Sequence, residues 1–506
     1  MSVVPSVCRS RRHVHLGWVM KRNTALGIAL AISMSALVAC SGPNSPTGGG
    51  GGGGTQNASL AVTMTSTPPA FTNVSVLAAT VGITGITLTP SSGSAVALTL
   101  SPTVYPVDFM RLQSDTAFLG SLTLPAGTYS SATITFSAPT LTVFNQSGTT
   151  LNGTCVSGTI CQIVLTAGSA QLSTVPFPLT LTANQATGIS LNLNLQNALT
   201  LTSGTLALSF SATNVATAAT LPRTGTPSGA LDLIEDFVGL VTVRSGSSIT
   251  VTGSDGISLT MTLPSSLTIE DPQGLCPALN ATCLVVNKTL VSVDATVSTS
   301  GTLTLVSADL LDASPQDEVE GTLVNTSTPG QFFLVVANKE VATGNSTLSA
   351  ANPGDIFLVT LSNPIFTVDF DEFFNNASLP SSTVTPLFSN QANLVNGQDV
   401  MVHVTAATGA ASTGDQAITS DRVALRFTRT TGTVQTVSGQ SFAISNLPPY
   451  MQFVTSPLVD TIIGTTSFDG VTDVSGVAVG QSVSIRALLL NNSTFSFYAA
   501  KVRVQH

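Results

Sequence analysis

The chain has 506 residues, of which only 8% are Asp, Glu, Lys or Arg, and a formal net charge of −9. An ordinary globular domain carries roughly 25% charge, and without a basic surface to displace phosphate counterions nucleic acid is disfavoured as a partner. Thr, Ser, Gly, Val and Leu replace the charge, a composition that suits exported β-proteins and supplies enough apolar surface to offset chain entropy.

Residues 1–39 read as a signal peptide whose true start is Met20. Lys21-Arg22 precede an uncharged, mostly apolar run from Ala25 to Ala36. That run is about a dozen residues, well short of the roughly 20 that span a bilayer. Leu37-Val38-Ala39-Cys40 has the form of a lipobox, so Cys40 is the expected lipidation site and the first residue of the mature chain. The removed segment holds five of the 16 Lys and Arg, no Asp or Glu, and the only tryptophan, Trp18. The mature protein is therefore more acidic still. Ser41 after the cysteine is not the aspartate of inner-membrane retention. The expected location is the cell envelope, lipid-anchored, at the outer membrane where there are two.

Residues 40–57 combine the lipidated cysteine with a tether containing the unbroken run Gly48 to Gly54. As a flexible coil it reaches about 20–25 Å. From Ala58 onward alternation of period two dominates, as in Ser59 to Met64, Ser131 to Phe136 and Leu191-Asn192-Leu193-Asn194-Leu195. Hydroxyl residues on one face and aliphatic ones on the other predict half-buried strands. The expected fold is all-β: a β-sandwich, Ig-like or prealbumin-like, over 58–212, then a linker over 213–236 with one short helix around Leu231 to Phe237. Three small β-barrel or sandwich repeats follow, over 237–312, 318–428 and 429–506.

The repeats rest on recurring elements. Each opens with a glycine, a β-branched run, a polar turn and a second strand: Gly239 to Val243, Gly321 to Val324, and Gly432 to Val437. A glycine there suits a bulge that closes a small barrel. Asn396-Gly397-Gln398 before Asp399 to Val404 matches Val479-Gly480-Gln481 before Ser482 to Arg486; in the first unit Lys288 to Val293 is the nearest counterpart and lacks the glycine.

Cys155 and Cys161, and Cys276 and Cys283, form two close pairs in turn-like stretches. Export places them in an oxidising compartment, so two local disulfides are expected, each contributing about 2 kcal/mol. The alternative, zinc, lacks CxxC spacing and nearby histidines.

The stretch Pro106-Val107-Asp108-Phe109-Met110-Arg111-Leu112, followed by Leu124-Pro125-Ala126-Gly127-Thr128-Tyr129, resembles a domain family of unknown function found in bacterial envelope lipoproteins. The three later units resemble another uncharacterised β-domain that often follows it. The resemblance implies an extracytoplasmic β-protein and supplies no catalytic residues. Tyr129 is expected to point its ring inward and cap a loop with its hydroxyl, and Asp108 to cap a turn.

Chemistry has few openings. His403, on an alternating strand, and His506, at the terminus, are the only histidines after Cys40, and no GxSxG sequence is present. Asp369 and Asp371 share a strand face and are the weak candidates for calcium or for a carboxylate-based glycosidase. Asp312, Asp317, Glu318 and Glu320 form a second acidic set, expected as a solvated edge. Tyr105, Tyr450 and Tyr498 are candidate exposed rings for stacking on sugars. No cofactor is expected, and the chain is not expected to be an enzyme. The readings that remain are a non-catalytic binding or adhesion module for glycan or another envelope protein, a structural component of an envelope assembly, and, least of all, a glycosidase.

Overall fold

The computed structural model describes residues 56–505 apart from 175, 272–273, 371–372, 374–383, 410–415, 452–456 and 492–495. Lipobox residue Cys40, Asp371 and His506 lie outside the described residues. The first domain is a β-sandwich. One sheet runs in the order Ala216–Leu221, Ala186–Asn194, Asn57–Thr67, Ala117–Pro125, with the two middle strands parallel. The other is built on the long strand Val74–Pro90, which pairs Gly127–Phe136 and Thr140–Asn145 on its two sides. Inward-facing Leu60, Met64, Leu124 and Leu191 of the first sheet share one core with Ile86, Ile134, Phe136 and Val143 of the second. Tyr129 is 2% exposed and its hydroxyl donates to the Pro125 carbonyl at 2.9 Å, which holds the turn into its strand.

Three barrels follow, and all three have the same connectivity. The first uses strands Ala230–Arg244, Ser248–Thr252, Ser258–Thr262, Leu290–Ser298 and Leu303–Asp312. The second uses Glu318–Asn325, Gln331–Glu340, Ile356–Val368, Asp399–Thr408 and Ala417–Arg426. The third uses Thr428–Ser438, Ser441–Ser445, Leu458–Thr461, Ser482–Leu490 and Ser496–Val504. In each, strands one to three form a meander, strand three runs parallel to strand five, and strand four closes the circuit between five and one. This 1-2-3-5-4-1 order is the connectivity of the oligonucleotide/oligosaccharide-binding barrel, and by itself it carries no activity.

The glycines read as repeat markers occupy one structural position. Gly239, Gly321 and Gly432 sit on first strands, opposite Val291, Val400 and Val483 of the fourth strands. A Cβ there would meet a second-strand carbonyl: Thr252 O at 2.6 Å, Val335 O at 2.1 Å and Ser445 O at 2.9 Å. Gly321→Ala is therefore expected to lower the urea midpoint by the equivalent of about 1–3 kcal/mol, the cost of overpacking against backbone. Gly432→Ala, with the loosest of the three contacts, should lose less; equal losses would count against this account.

The first barrel's missing turn glycine is replaced by Asn287, at φ 57°. Its N–H donates to Val241 O at 2.7 Å, as those of Gly397 and Gly480 donate to Leu323 O and Val434 O at 2.9 and 2.8 Å. Asparagine tolerates this left-handed conformation.

Two expectations meet a different structure. Residues 213–236, read as a linker, contain the strand Ala216–Leu221 and the start of Ala230–Arg244. The short helix expected around Leu231 to Phe237 is part of that second strand. A register shift between Ile234 and Phe237 breaks the alternation there, so apolar Leu231, Ile234 and Phe237 imitate a helical stripe. Cys155–Cys161 and Cys276–Cys283 are both disulfides.

Candidate functional site

The bulge in the first barrel's opening strand sets up the dominant electrostatic feature. It turns consecutive acids, Glu235 and Asp236, into the interior, where they are 4% and 6% exposed. Asp236 takes φ 53°. Its N–H donates to Asp294 Oδ1 at 2.9 Å, and Ser292 Oγ donates to its Oδ1 at 2.7 Å.

Guanidinium groups from the other units converge on it. Arg426, closing the second barrel, donates from Nη2 to Asp236 Oδ1 at 2.8 Å. Arg429, opening the third barrel, donates to Asp236 Oδ2. Arg486 of the third barrel and Arg111 of the sandwich lie 3.8 Å away. Burial pushes the Asp236 carboxyl up, but these four cations outweigh it and hold it well below the usual carboxylate range.

Arg429 is the widest connector. Its Nε donates to Asp115 Oδ2 of the sandwich at 2.5 Å, and its Nη1 lies 3.3 Å from Asp399 Oδ2 of the second barrel. With Asp236 of the first barrel, one side chain of the third barrel touches all three other units. Burial alone would lower its pKa; Asp115, Asp236, Asp399 and Glu320 reverse that and raise it. Around this centre Arg486 contacts Glu235 at 3.6 Å and lies over the Phe427 ring, while Lys501 pairs with Glu235.

The segment Pro106 to Leu112, on which the family resemblance rests, leads into the turn that joins the sandwich to this hub. Asp108 Oδ1 accepts from the Ala79 and Met110 N–H groups, each at 2.9 Å, and so caps the turn. Arg111 donates to Glu320 Oε1 at 3.2 Å. Arg503 of the third barrel donates to the carbonyls of Leu112, Gln113 and Asp115 at 3.0–3.2 Å and to Asp469 Oδ2 at 2.6 Å. Every Lys and Arg among the described residues, except Arg244, Lys288 and Lys339, is ion-paired with Asp or Glu. Lys339 instead donates to the Leu348 and Ser349 carbonyls at the end of the short helix Ser346–Ala350.

Several expected site residues change character. The acidic set Asp312, Asp317, Glu318 and Glu320 is not a solvated edge: all four are buried, at 6% exposure or less. Asp312 and Glu318 pair with Arg422, Glu320 pairs with Arg111, and Asp317 accepts from the N–H groups of Ala342 and Thr343. They are buried because each has a cation or a turn to satisfy it. Asp369, the weak calcium candidate, lies against the Arg426 guanidinium, a cation that already neutralises it.

Tyr105 and Tyr450 are not exposed stacking platforms; they are 4% and 8% exposed, and Tyr105 donates to the Phe118 carbonyl at 2.9 Å. Their ring area is spent in cores of a chain with few aromatics. Tyr498 is half-buried. His403 Nδ1 lies 2.6 Å from Asp421 Oδ1 on the second barrel.

Above the hub lies a cleft of about 370 Å³ where the sandwich and the first two barrels meet. Arg111 and Asp236 are among its lining residues, with Pro106, Phe237, Asp255 and Asn338. Ser254 Oγ of the first barrel donates to Asn338 Oδ1 of the second across the junction. Neither cleft nor hub was named from the sequence. The available signal was local: Glu235-Asp236 inside an apolar run, and Arg426-Phe427-Thr428-Arg429 on strand-forming sequence, in a chain with almost no charge to spare.

No curated protein matches the chain. Residues 57–209, the sandwich, match the family described as a domain of unknown function, DUF4382, and the three barrels lie outside that match.

Proposed function

We propose that this chain is a lipid-anchored protein of the cell envelope that acts as a non-catalytic binding or adhesion module, its ligand a glycan or another envelope protein. The lipobox ending at Cys40 and the glycine tether behind it support the anchoring and the outer-membrane location. The observation that carries the binding reading is the placement of charge. Carboxylates of the kind that do acid–base chemistry are buried beneath guanidinium groups. Asp236 is paired with Arg426 and Arg429, which hold its carboxyl well below the usual range, and Asp399 is paired with Arg429. What faces outward is hydroxyl-rich: Thr242, Thr252 and Ser258, and Thr250 with Thr260, form ladders of 2.9 Å hydrogen bonds across the first barrel.

The test is a pull-down and binding screen with the full chain in detergent micelles, against a polysaccharide panel and a solubilised envelope extract. Saturable binding to a glycan or to a single envelope protein is expected, and labelled palmitate should enter the wild-type chain but not Cys40→Ser. Turnover of a glycan that is abolished by Asp369→Asn would overturn the non-catalytic reading.

A second reading, a structural component of an envelope assembly, is favoured by the convergence of four units on Arg429. It predicts stoichiometric co-purification with a fixed partner and no glycan binding.

A further inference from the structure

We infer that the cleft at the junction of the sandwich with the first two barrels is a binding site for a neutral saccharide. This rests on the binding-module reading above and deepens it. At about 370 Å³ the cleft is within the size range of small-ligand sites, and three units contribute to it, as is common for sites at domain boundaries.

Its chemistry selects the class of ligand. Among the described residues the one cation in its lining, Arg111, is already engaged: it donates to Glu320 at 3.2 Å and lies within 4.0 Å of Asp236 and Asp399. Asp108, Asp236 and Asp255 share the lining with it. A phosphate, a nucleotide or a fatty-acid carboxylate would meet more negative than positive charge there, and like charge at short range disfavours binding. The remaining polar groups are neutral hydroxyls and carboxamides, among them Ser137, Ser254, Asn338 and Asn352. Each hydroxyl offers one donor and two acceptor sites, and each carboxamide offers both kinds, which matches the mixed donor–acceptor rim of a sugar.

The apolar part of the lining matches the other side of a sugar ring. Phe237 is half-buried in the cleft wall, and Pro106 and Pro353 add flat apolar surface. Asp255 is exposed; its Oδ1 accepts from the Ile257 N–H at 2.9 Å, which fixes the carboxylate. A fixed carboxylate can accept from two neighbouring hydroxyls of one sugar.

The experiment is calorimetric titration of the full chain in detergent micelles with cellobiose, chitobiose and maltotriose, with glucose 6-phosphate as the anionic comparator. At least one neutral sugar is expected to bind with one-site stoichiometry, and the phosphate to bind more weakly. Ser254→Trp, which fills the cleft from an exposed position, and Asn352→Ala should each weaken that binding about tenfold or more, the scale of one or two lost hydrogen bonds. Their melting temperatures should match wild type, and Ser130→Ala, at an exposed sandwich position outside the cleft lining, should bind normally.

Sugar binding that Ser254→Trp leaves unchanged would overturn the cleft assignment while leaving the binding-module reading intact. A preference for the phosphate would overturn the neutral class. Failure of all three sugars together with capture of one envelope protein would overturn this inference alone, and failure of both would overturn the reading beneath it.

Discussion

Asp236→Asn is expected to cost about 3–5 kcal/mol of unfolding free energy, the range seen when one partner of a buried ion pair is removed and the other is left uncompensated. Asparagine keeps the shape of the side chain and tolerates φ 53°, so the substitution isolates the charge from the backbone. Without that carboxylate, Arg426 and Arg429 lose their shared counterion, and Arg486 and Arg111 lose their attraction to the centre. The residual acids Asp115, Asp369 and Asp399 lie at the edges of the cluster. Because the hub joins four units, the loss should also separate their unfolding. Urea unfolding followed by circular dichroism should shift to a lower midpoint and broaden or split, and limited proteolysis should cut between units. A single unshifted transition would mean that the guanidinium groups find their neutralisation elsewhere and that Asp236 is not the centre of the network.

The architecture was legible in the sequence wherever it is written locally. Alternation in Leu191 to Leu195 gave a strand, the cysteine spacings gave two disulfides, and the glycines at 239, 321 and 432 marked one position in three barrels of the same topology. Such features depend on neighbours a few residues apart. The hub does not. Arg429 meets Asp115 across 314 positions and Asp236 across 193, so no window of sequence contains both partners. The burial of the acids of 312–320 is hidden for the same reason: charge in a strand-edge sequence predicts solvent until a distant cation or turn is known. The bulge at Glu235-Asp236 added a second obstacle, since it disrupts the period of two that identifies strands and leaves an apolar spacing that suits a helix.

The same contacts explain how an almost uncharged chain assembles four β-units. Hydrophobic clusters cross between the units, one joining the sandwich to the first barrel and another placing Leu488 and Leu490 of the third barrel in the core of the second, but apolar burial is non-directional. Fork-shaped guanidinium groups with carboxylates on three neighbours demand one geometry. The cleft lies directly above this arrangement, so its walls from the sandwich and two barrels are set by the same contacts. A ligand site built this way is positioned before its ligand arrives, which reduces the cost of binding.

The same network predicts an unusual dependence of stability on pH. Burial raises the pKa of Asp469, but Arg503, Arg223 and Lys501 outweigh it and lower it from 3.8 to about 2. Its contribution is fully present above the unfolded value and is lost as pH falls toward 2. Glu340 goes the other way. It stands opposite Glu318 in the second barrel, and burial, then the charges of Glu318 and Asp312, raise it from 4.5 to about 8. Arg422 is committed to Glu318 and Asp312, and Lys339 to helix carbonyls, so neither neutralises it. A folded state that holds a proton its unfolded chain has released loses stability as pH rises between those two values. Melting temperature should therefore peak near about pH 4–5, below the range of about 5–8 usual for proteins, and decline toward pH 8. Glu340→Gln, which carries no charge at any pH, should flatten the alkaline decline and raise stability at pH 8, while Asp469→Asn should flatten the acid limb and lower stability at pH 5. Thermal melts at constant ionic strength test both limbs. If Glu340→Gln declines with pH as steeply as wild type, the facing pair Glu318 and Glu340 is not the source of the alkaline limb.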